Sequence, residues 1–226
     1  MSDPVTIGRL YGRRAGHKLR EGQAALVEDL LPRLAVPEGQ LDSRALFGDD
    51  RPLELEIGFG SGEHLAGQAE MRPGTGFIGC EPFVNGVATA LGHIRDGTLA
   101  NVRLHMGDAL DVLNRLPGAS LERVYLLHPD PWPKARHAKR RMVNDGPIEL
   151  IASKLRPGGE LRIATDHPVY LDHALMVMPR HDATLEWTAE HPKDFLERPD
   201  GWPQTRYETK AIREGRRAYA LRYRRR

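Results

Sequence analysis

The run His128-Pro129-Asp130-Pro131-Trp132-Pro133-Lys134 holds a carboxylate, a flat aromatic and a cation within a few residues. It continues into Ala135-Arg136-His137-Ala138-Lys139-Arg140-Arg141, so Lys134 to Arg141 carries five formal positive charges and no negative one. A carboxylate, a stacking surface and a cationic strip together suit a nucleobase attached to a phosphate chain. Three prolines between positions 129 and 133 forbid regular structure and stiffen the backbone. A rigid turn followed by a solvated basic helix start would account for the cations alone, but not for the combination.

The same chemistry needs elements to hold it. Val124-Tyr125-Leu126-Leu127, directly before the stretch, reads as a buried strand within Leu121–Leu127. Upstream, Leu53-Glu54-Leu55-Glu56-Ile57 is a strand, Gly58-Phe59-Gly60-Ser61-Gly62 a glycine-rich turn, and Glu63-His64-Leu65-Ala66 a helix start. Glycines there permit a tight turn and close approach of the backbone to a ligand. With glycines at 58, 60 and 62 and an acid at Glu56, the spacing is similar to the S-adenosylmethionine motif of Rossmann-like methyltransferases. It departs from the nicotinamide fingerprint, whose third glycine stands three residues after the second. Gly76 to Glu81 is a second strand, and Glu81 lies 23 residues beyond Gly58. An acid about 20 residues on can accept from both ribose hydroxyls; the alternative is a surface glutamate that caps the helix near Phe83. Asn101 to Met106 is a third strand, closed by Gly107-Asp108-Ala109. Asp108 fits an N-cap and recognition of an adenine amino group equally well. Glu160 to Ala164 is a fifth strand that delivers Thr165-Asp166. In an open α/β sheet ligands bind at such strand ends.

The remaining pattern predicts a helix over about Lys18–Leu34, ended by Pro37 and Gly39, and helices over Val84–Ile94, Val143–Leu155 and Tyr170–Val177. Arg156-Pro157-Gly158-Gly159 reads as the turn after Leu155. Thr184–Ala189 and Ala218–Tyr223 alternate as a last strand pair, joined by a loop that carries Thr205-Arg206-Tyr207-Glu208. Residues 1 to about 16 are polar and basic without a usable period, an arm expected to be mobile until it meets something acidic. This gives a basic arm and helix over 1–40, packed on a single domain over 41–226.

The 226 residues are enough for one large α/β domain. Net charge is only +2, but its distribution is uneven. Arg9, Arg13, Arg14, Lys18 and Arg20 crowd one end, and nine Lys/Arg against Glu208 and Glu214 fill 206–226. Three basic clusters on a nearly neutral chain point to phosphate as partner. A single cysteine, Cys80, excludes an internal disulfide. No apolar run has membrane-spanning length and no secretory signal segment is evident, so a cytoplasmic protein is expected. No zinc-type Cys/His set occurs, no metal is expected, and the scattered histidines receive no role. Monomer and homodimer are both compatible with the sequence.

With these residues in view, the chain resembles the tRNA (guanine-N7)-methyltransferase family. The matching pieces are Glu56-Ile57-Gly58-Phe59-Gly60-Ser61-Gly62, Gly79-Cys80-Glu81-Pro82, Gly107-Asp108-Ala109, Pro129 to Lys134 with Arg136-His137 and Lys139-Arg140-Arg141, Thr165-Asp166, and Thr205-Arg206-Tyr207-Glu208. The Pro-Asp-Pro-Trp-Pro-Lys run is the most specific of them. His128 and Tyr207 depart from the family, which usually has phenylalanine at both positions.

The resemblance implies a Rossmann-like fold with a mostly parallel seven-stranded sheet and an antiparallel C-terminal strand pair. It implies S-adenosyl-L-methionine as cofactor, S-adenosyl-L-homocysteine as product, and guanine 46 of the tRNA variable loop as substrate. Glu56, Gly58, Gly60, Gly62, Glu81, Asp108 and Asp130 would bind cofactor, and Asp130 would also be catalytic. Lys134, Asp166, Thr205, Arg206, Tyr207 and Glu208 would bind substrate, and Arg136, Lys139, Arg140 and Arg141 the RNA. Guanine N7 attacks with an in-plane lone pair and carries no proton, so no general base is needed at that atom. The protein must position base and methyl group and favour the positive charge that reaches the ring. Either Asp130 or Asp166 can do the latter, or can accept from the guanine N1–H and amino group. Two rivals stand beside this reading: methylation of an exocyclic amine, and a non-catalytic RNA-binding protein that keeps the fold.

Overall fold

The structure, a computed structural model, describes residues 15–203 and 205–226. Arg9, Arg13 and Arg14 of the expected arm lie outside the described residues. From the first described helices the chain runs α1 (Glu21–Asp29), α2 (Leu31–Leu34), α3 (Ser43–Phe47), β1 (Leu53–Ile57), α4 (Glu63–Met71), β2 (Gly76–Cys80), α5 (Val84–Asp96), β3 (Val102–His105) and α6 (Ala109–Arg115). It continues with β4 (Leu121–Leu127), α7 (Asp145–Lys154), β5 (Leu155–Thr165), α8 (Pro168–Val177), β6 (Leu185–Trp187), α9 (Lys193–Leu196), α10 (Arg206–Arg213) and β7 (Tyr219–Arg225).

Among the described residues the seven strands form one sheet in the order β3-β2-β1-β4-β5-β7-β6. Pairs from β3 to β5 are parallel, and β7 runs antiparallel to both β5 and β6. The order reverses at β1 and β4, and that switch point is where an open α/β sheet opens its crevice. Leu53, Leu55, Ile57, Val124, Leu126, Leu161 and Ile163 belong to one apolar cluster with Ile148 and Ile151 of α7. Phe59, Leu65, Phe77, Val87, Leu91 and Leu104 build a second cluster, with Leu26, Val27, Leu30 and Leu31 packed on it. Val36 donates to the Leu104 carbonyl (3.0 Å), tying the N-terminal segment to β3. No helix among the described residues is long and apolar enough to cross a membrane.

Three expectations change. The helix predicted over Lys18–Leu34 is broken at Leu30 into α1 and α2. Pro32 has no N–H to continue the ladder. β5 starts at Leu155, not Glu160: Leu155 pairs with Leu121, and a register shift absorbs the Pro-Gly-Gly segment that read as a turn. The Thr205–Glu208 segment is not loop. Thr205 Oγ1 accepts from the Glu208 N–H (3.1 Å) and caps α10. A Thr three residues before a Glu is a capping-box signature, so the signal was present in the sequence.

Candidate active site

Where β4 ends, His128 and Trp132 take left-handed backbone angles, with φ of 50° and 41°. Such conformations cost roughly 1–3 kcal/mol each and persist where surrounding contacts enforce them. Here the contacts are specific. The His128 N–H donates to the Ala164 carbonyl (2.8 Å), and Arg141 donates to the carbonyls of Pro131 (3.0 Å) and Trp132 (2.9 Å). Arg141 is buried. It clamps the proline-rich turn from inside, which corrects its expected place on the RNA-facing strip. Lys134, Arg136 and Lys139 are exposed, Arg140 lies 4.9 Å from the Trp132 ring centre, and Asp130 is exposed on the turn.

Beside this turn, Gly58 and Gly60 have φ of 71° and 56°, which lets the loop after β1 fold under a cleft of about 910 Å³. Glu81, Asp108, Asp130 and Trp132 line the same cleft. Gly62 does a different job: a Cβ there would stand 2.5 Å from that of Ala90, so its bareness seats α4 against α5. Glu81 accepts from the N–H groups of Gly60 and Phe83, both at 2.9 Å. Burial raises its pKa, the two N–H groups oppose this, and the charges of Asp130 and Glu56 add to the rise. Asp108 caps α6 through the Leu110 N–H (3.0 Å), and burial raises its pKa against that bond. Both sequence readings of Asp108 remain compatible, since a capping carboxylate keeps lone pairs for a ligand.

Glu56 lies on the far side of the glycine loop, in a cleft of about 640 Å³ that Gly58, Gly60, Thr205 and Tyr207 also line. Its Oε2 meets His64 Nδ1 at 2.8 Å. A third cavity of about 570 Å³ is bounded by His64, Trp202, Thr205, Glu208 and Arg216. His128 lines all three spaces. Its ring leans on Tyr207 (4.8 Å between centres), and its Nδ1 is 3.4 Å from Asp166. Burial pushes the His128 pKa down to about 4, with Glu208 opposing and Arg216 adding to the fall. Asp166 is buried and also ion-paired with Arg216. The two sequence-predicted acids at strand ends therefore differ: Asp130 is open, Asp166 is capped. Arg206 and Tyr207 are exposed at the start of α10, and Glu208 pairs with Arg198 at 3.4 Å.

The sequence reading missed His64, Trp202 and Arg216. No local pattern marks them, because their partners come from other elements. Among the described residues no group of three or more His, Cys, Asp or Glu is arranged to hold a metal.

A parallel sheet with a glycine loop at the switch point, acids on successive strand ends and an antiparallel last pair defines a Rossmann-like methyltransferase. Residues 50–221 match the family model described as "Putative methyltransferase". The chain is 60% identical to the tRNA (guanine-N(7)-)-methyltransferase of Sphingopyxis alaskensis, over 99% of this chain and 97% of that one. It is 61% identical to the protein of the same name from Zymomonas mobilis subsp. mobilis, over 99% and 96%. The solved 16S rRNA methyltransferase KamB shares the fold at 16% identity and a TM-score of 0.53, over 84% of this chain and 97% of that one. The chain belongs to the tRNA (guanine-N7)-methyltransferase family.

Proposed function

We propose that this site methylates N7 of guanine 46 in the variable loop of tRNA, using S-adenosyl-L-methionine and leaving 7-methylguanosine and S-adenosyl-L-homocysteine. The observation that carries the reading is the convergence of Glu56, Glu81, Asp108 and Asp130 around the Gly58–Gly60 turn. Four acids beside a close-approach backbone fit a ligand with a cationic end, ribose hydroxyls and an adenine amino group. S-adenosylmethionine supplies an electrophilic methyl group on a sulfonium.

The chain's own residues do the rest. Glu81 takes the ribose hydroxyls with lone pairs not used by Gly60 and Phe83. Asp108 takes the adenine amino group, and Glu56 faces the cationic end. Gly58 and Gly60 bring the backbone close, and Gly62 keeps α4 in register. Asp130, exposed and fixed between two prolines, accepts from the guanine donors and favours positive charge on the ring. Asp166 serves the substrate site by holding Arg216 and His128, whose ring leans on Tyr207. Lys134 and Thr205 to Glu208 border the base, while Arg136, Lys139 and Arg140 hold phosphates and carry no base identity. Among the described residues before position 41, α1 and α2 are set on the 41–226 domain, which acts in the cytoplasm.

The test is incubation with unmodified tRNA and labelled S-adenosylmethionine, followed by nucleoside analysis and mapping. 7-Methylguanosine at position 46 is expected. A methylated exocyclic amine moves the chain to the first rival, and cofactor binding without transfer moves it to the second.

A further inference from the structure

Two glutamates of β1, Glu54 and Glu56, are both buried, at 1% and 4% exposure. Glu54 is surrounded by Arg72, Arg123 and the Tyr125 hydroxyl. Glu56 has no arginine or lysine among the described residues: its one bonded side chain is His64. A buried carboxylate without a cation is expensive unless a ligand completes it.

His64 is itself 2% exposed, in the first turn of α4, with its ring edge-on to Tyr125 (4.7 Å) and Trp202 (5.9 Å). Nδ1 faces Glu56, and Nε2 is sealed without a partner. A residue selected for packing alone would fill this aromatic cage more cheaply as phenylalanine, which buries no polar atom. What the imidazole adds is the hold on one oxygen of Glu56.

The clefts indicate what the other oxygen meets. Gly58 and Gly60 line both the 910 Å³ and the 640 Å³ spaces. Glu81 and Asp108 line only the larger and Glu56 only the smaller. A ligand with ribose at Glu81 crosses the glycine loop and ends at Glu56. In S-adenosylmethionine the sulfonium is next to the ribose, and the α-ammonium lies at the far end. We propose that His64 is a positioning residue of the cofactor site, which fixes Glu56 so that its remaining oxygen receives the α-ammonium group. This rests on the assignment of Glu56 to the cofactor.

The test is calorimetric binding to the full chain, with a thermal melt as fold control. His64→Phe keeps the ring and removes the donor. His64→Asn places an amide N–H near the Nδ1 position, and His64→Gln near the Nε2 position. His64→Phe should weaken S-adenosylmethionine about ten- to a hundredfold, the loss expected for a misplaced charged hydrogen bond. S-adenosylhomocysteine, which keeps the ammonium and lacks the sulfonium charge, should weaken equally. Methylthioadenosine, which lacks the amino-acid end, should bind parent and variant alike. His64→Asn should recover most of the affinity and His64→Gln should not. If His64→Phe does not fold, the Asn and Gln pair carries the test.

Parental affinity in a folded His64→Phe overturns the proposal, as does a loss confined to S-adenosylmethionine or a rescue by Gln in place of Asn. Glu56→Gln separates the two levels. If it leaves binding unchanged, the assignment of Glu56 fails. If it weakens binding while His64→Phe does not, only the role of His64 fails.

Discussion

Glu54 and Glu56 stand two residues apart on β1, point to the same face and are equally sealed from water, yet their surroundings are opposite. Glu54 is met by two guanidinium groups and a phenol: Arg72 Nη2 at 2.7 Å, Arg123 Nη1 at 2.8 Å and the Tyr125 hydroxyl at 3.0 Å. Arg123 reaches onward to Glu160 at 3.2 Å, so the network ties β1, β4, β5 and α4 together. Glu56 has one imidazole and an adjoining cleft. A buried acid whose charge is fully answered stabilises the fold. One whose charge is half answered and that lines a cleft is, on the function proposed above, the place of a ligand. The same contrast separates Asp166, capped by Arg216 and His128, from Asp130, which is exposed.

If the contrast holds, open acids fail in chemistry and closed ones in folding. The largest effect belongs to Asp130→Asn. It keeps the shape and removes the charge, and single-turnover methylation with both substrates saturating should slow by about 10²–10³. The melting temperature should hold. A near-parental rate would reduce Asp130 to positioning.

Glu54→Gln should do the reverse. Breaking a buried ion pair costs about 3–5 kcal/mol, and the partial exposure of Arg72 and Arg123 places this case near the low end. Urea unfolding reads the loss, while the cofactor affinity of the folded protein stays within about twofold, or 0.4 kcal/mol. A variant of parental stability with impaired binding would erase the distinction between the two glutamates.

His128→Phe tests the capped pair. The folded protein lowers this imidazole from 6.5 to about 4. As pH falls through that window the unfolded chain binds a proton that the folded chain refuses, so the parent loses stability. The loss reaches about 3 kcal/mol below the folded value. The variant should lack this component, and the difference between the two unfolding free energies should be flat above pH 7. A constant offset from pH 4 to 8 would contradict the cause given for the shift.

The smallest effect is on the exposed strip. Replacing Arg136 and Lys139 by alanine should lower the salt slope of tRNA binding by about 0.7–0.9 for each phosphate no longer neutralised. The cofactor affinity should be unaffected. An unchanged slope would leave these side chains to solvent, as in any ordinary basic run on a protein surface.

Much of this molecule was legible in its residues. Strand–glycine–helix punctuation located β1 to β5, and the acids at 56, 81, 108, 130 and 166 fell on or beside strand ends because period and breaker residues are local signals. The break at Pro32 and the cap at Thr205 are also local signals, each set inside a longer pattern that points the other way. The jobs of the charged groups were not local. Leu-Glu-Leu-Glu-Ile alternates as if its acids faced water, and Arg141 looks like one more cation in a run.

What the sequence by itself determined is the order of elements, the glycine turn and which acids arrive at the crevice, since each depends on neighbours a few positions away. What only the tertiary structure decided is which charges are answered. Glu54 finds its cations 18 and 69 residues away, and Asp166 lies 38 residues from His128. His64 is only 8 residues from Glu56, yet its ring is set by Tyr125 and Trp202 on distant segments. A carboxylate's role follows from the sum of the fields around it, and in a folded chain most of that sum comes from residues that no window on the sequence contains.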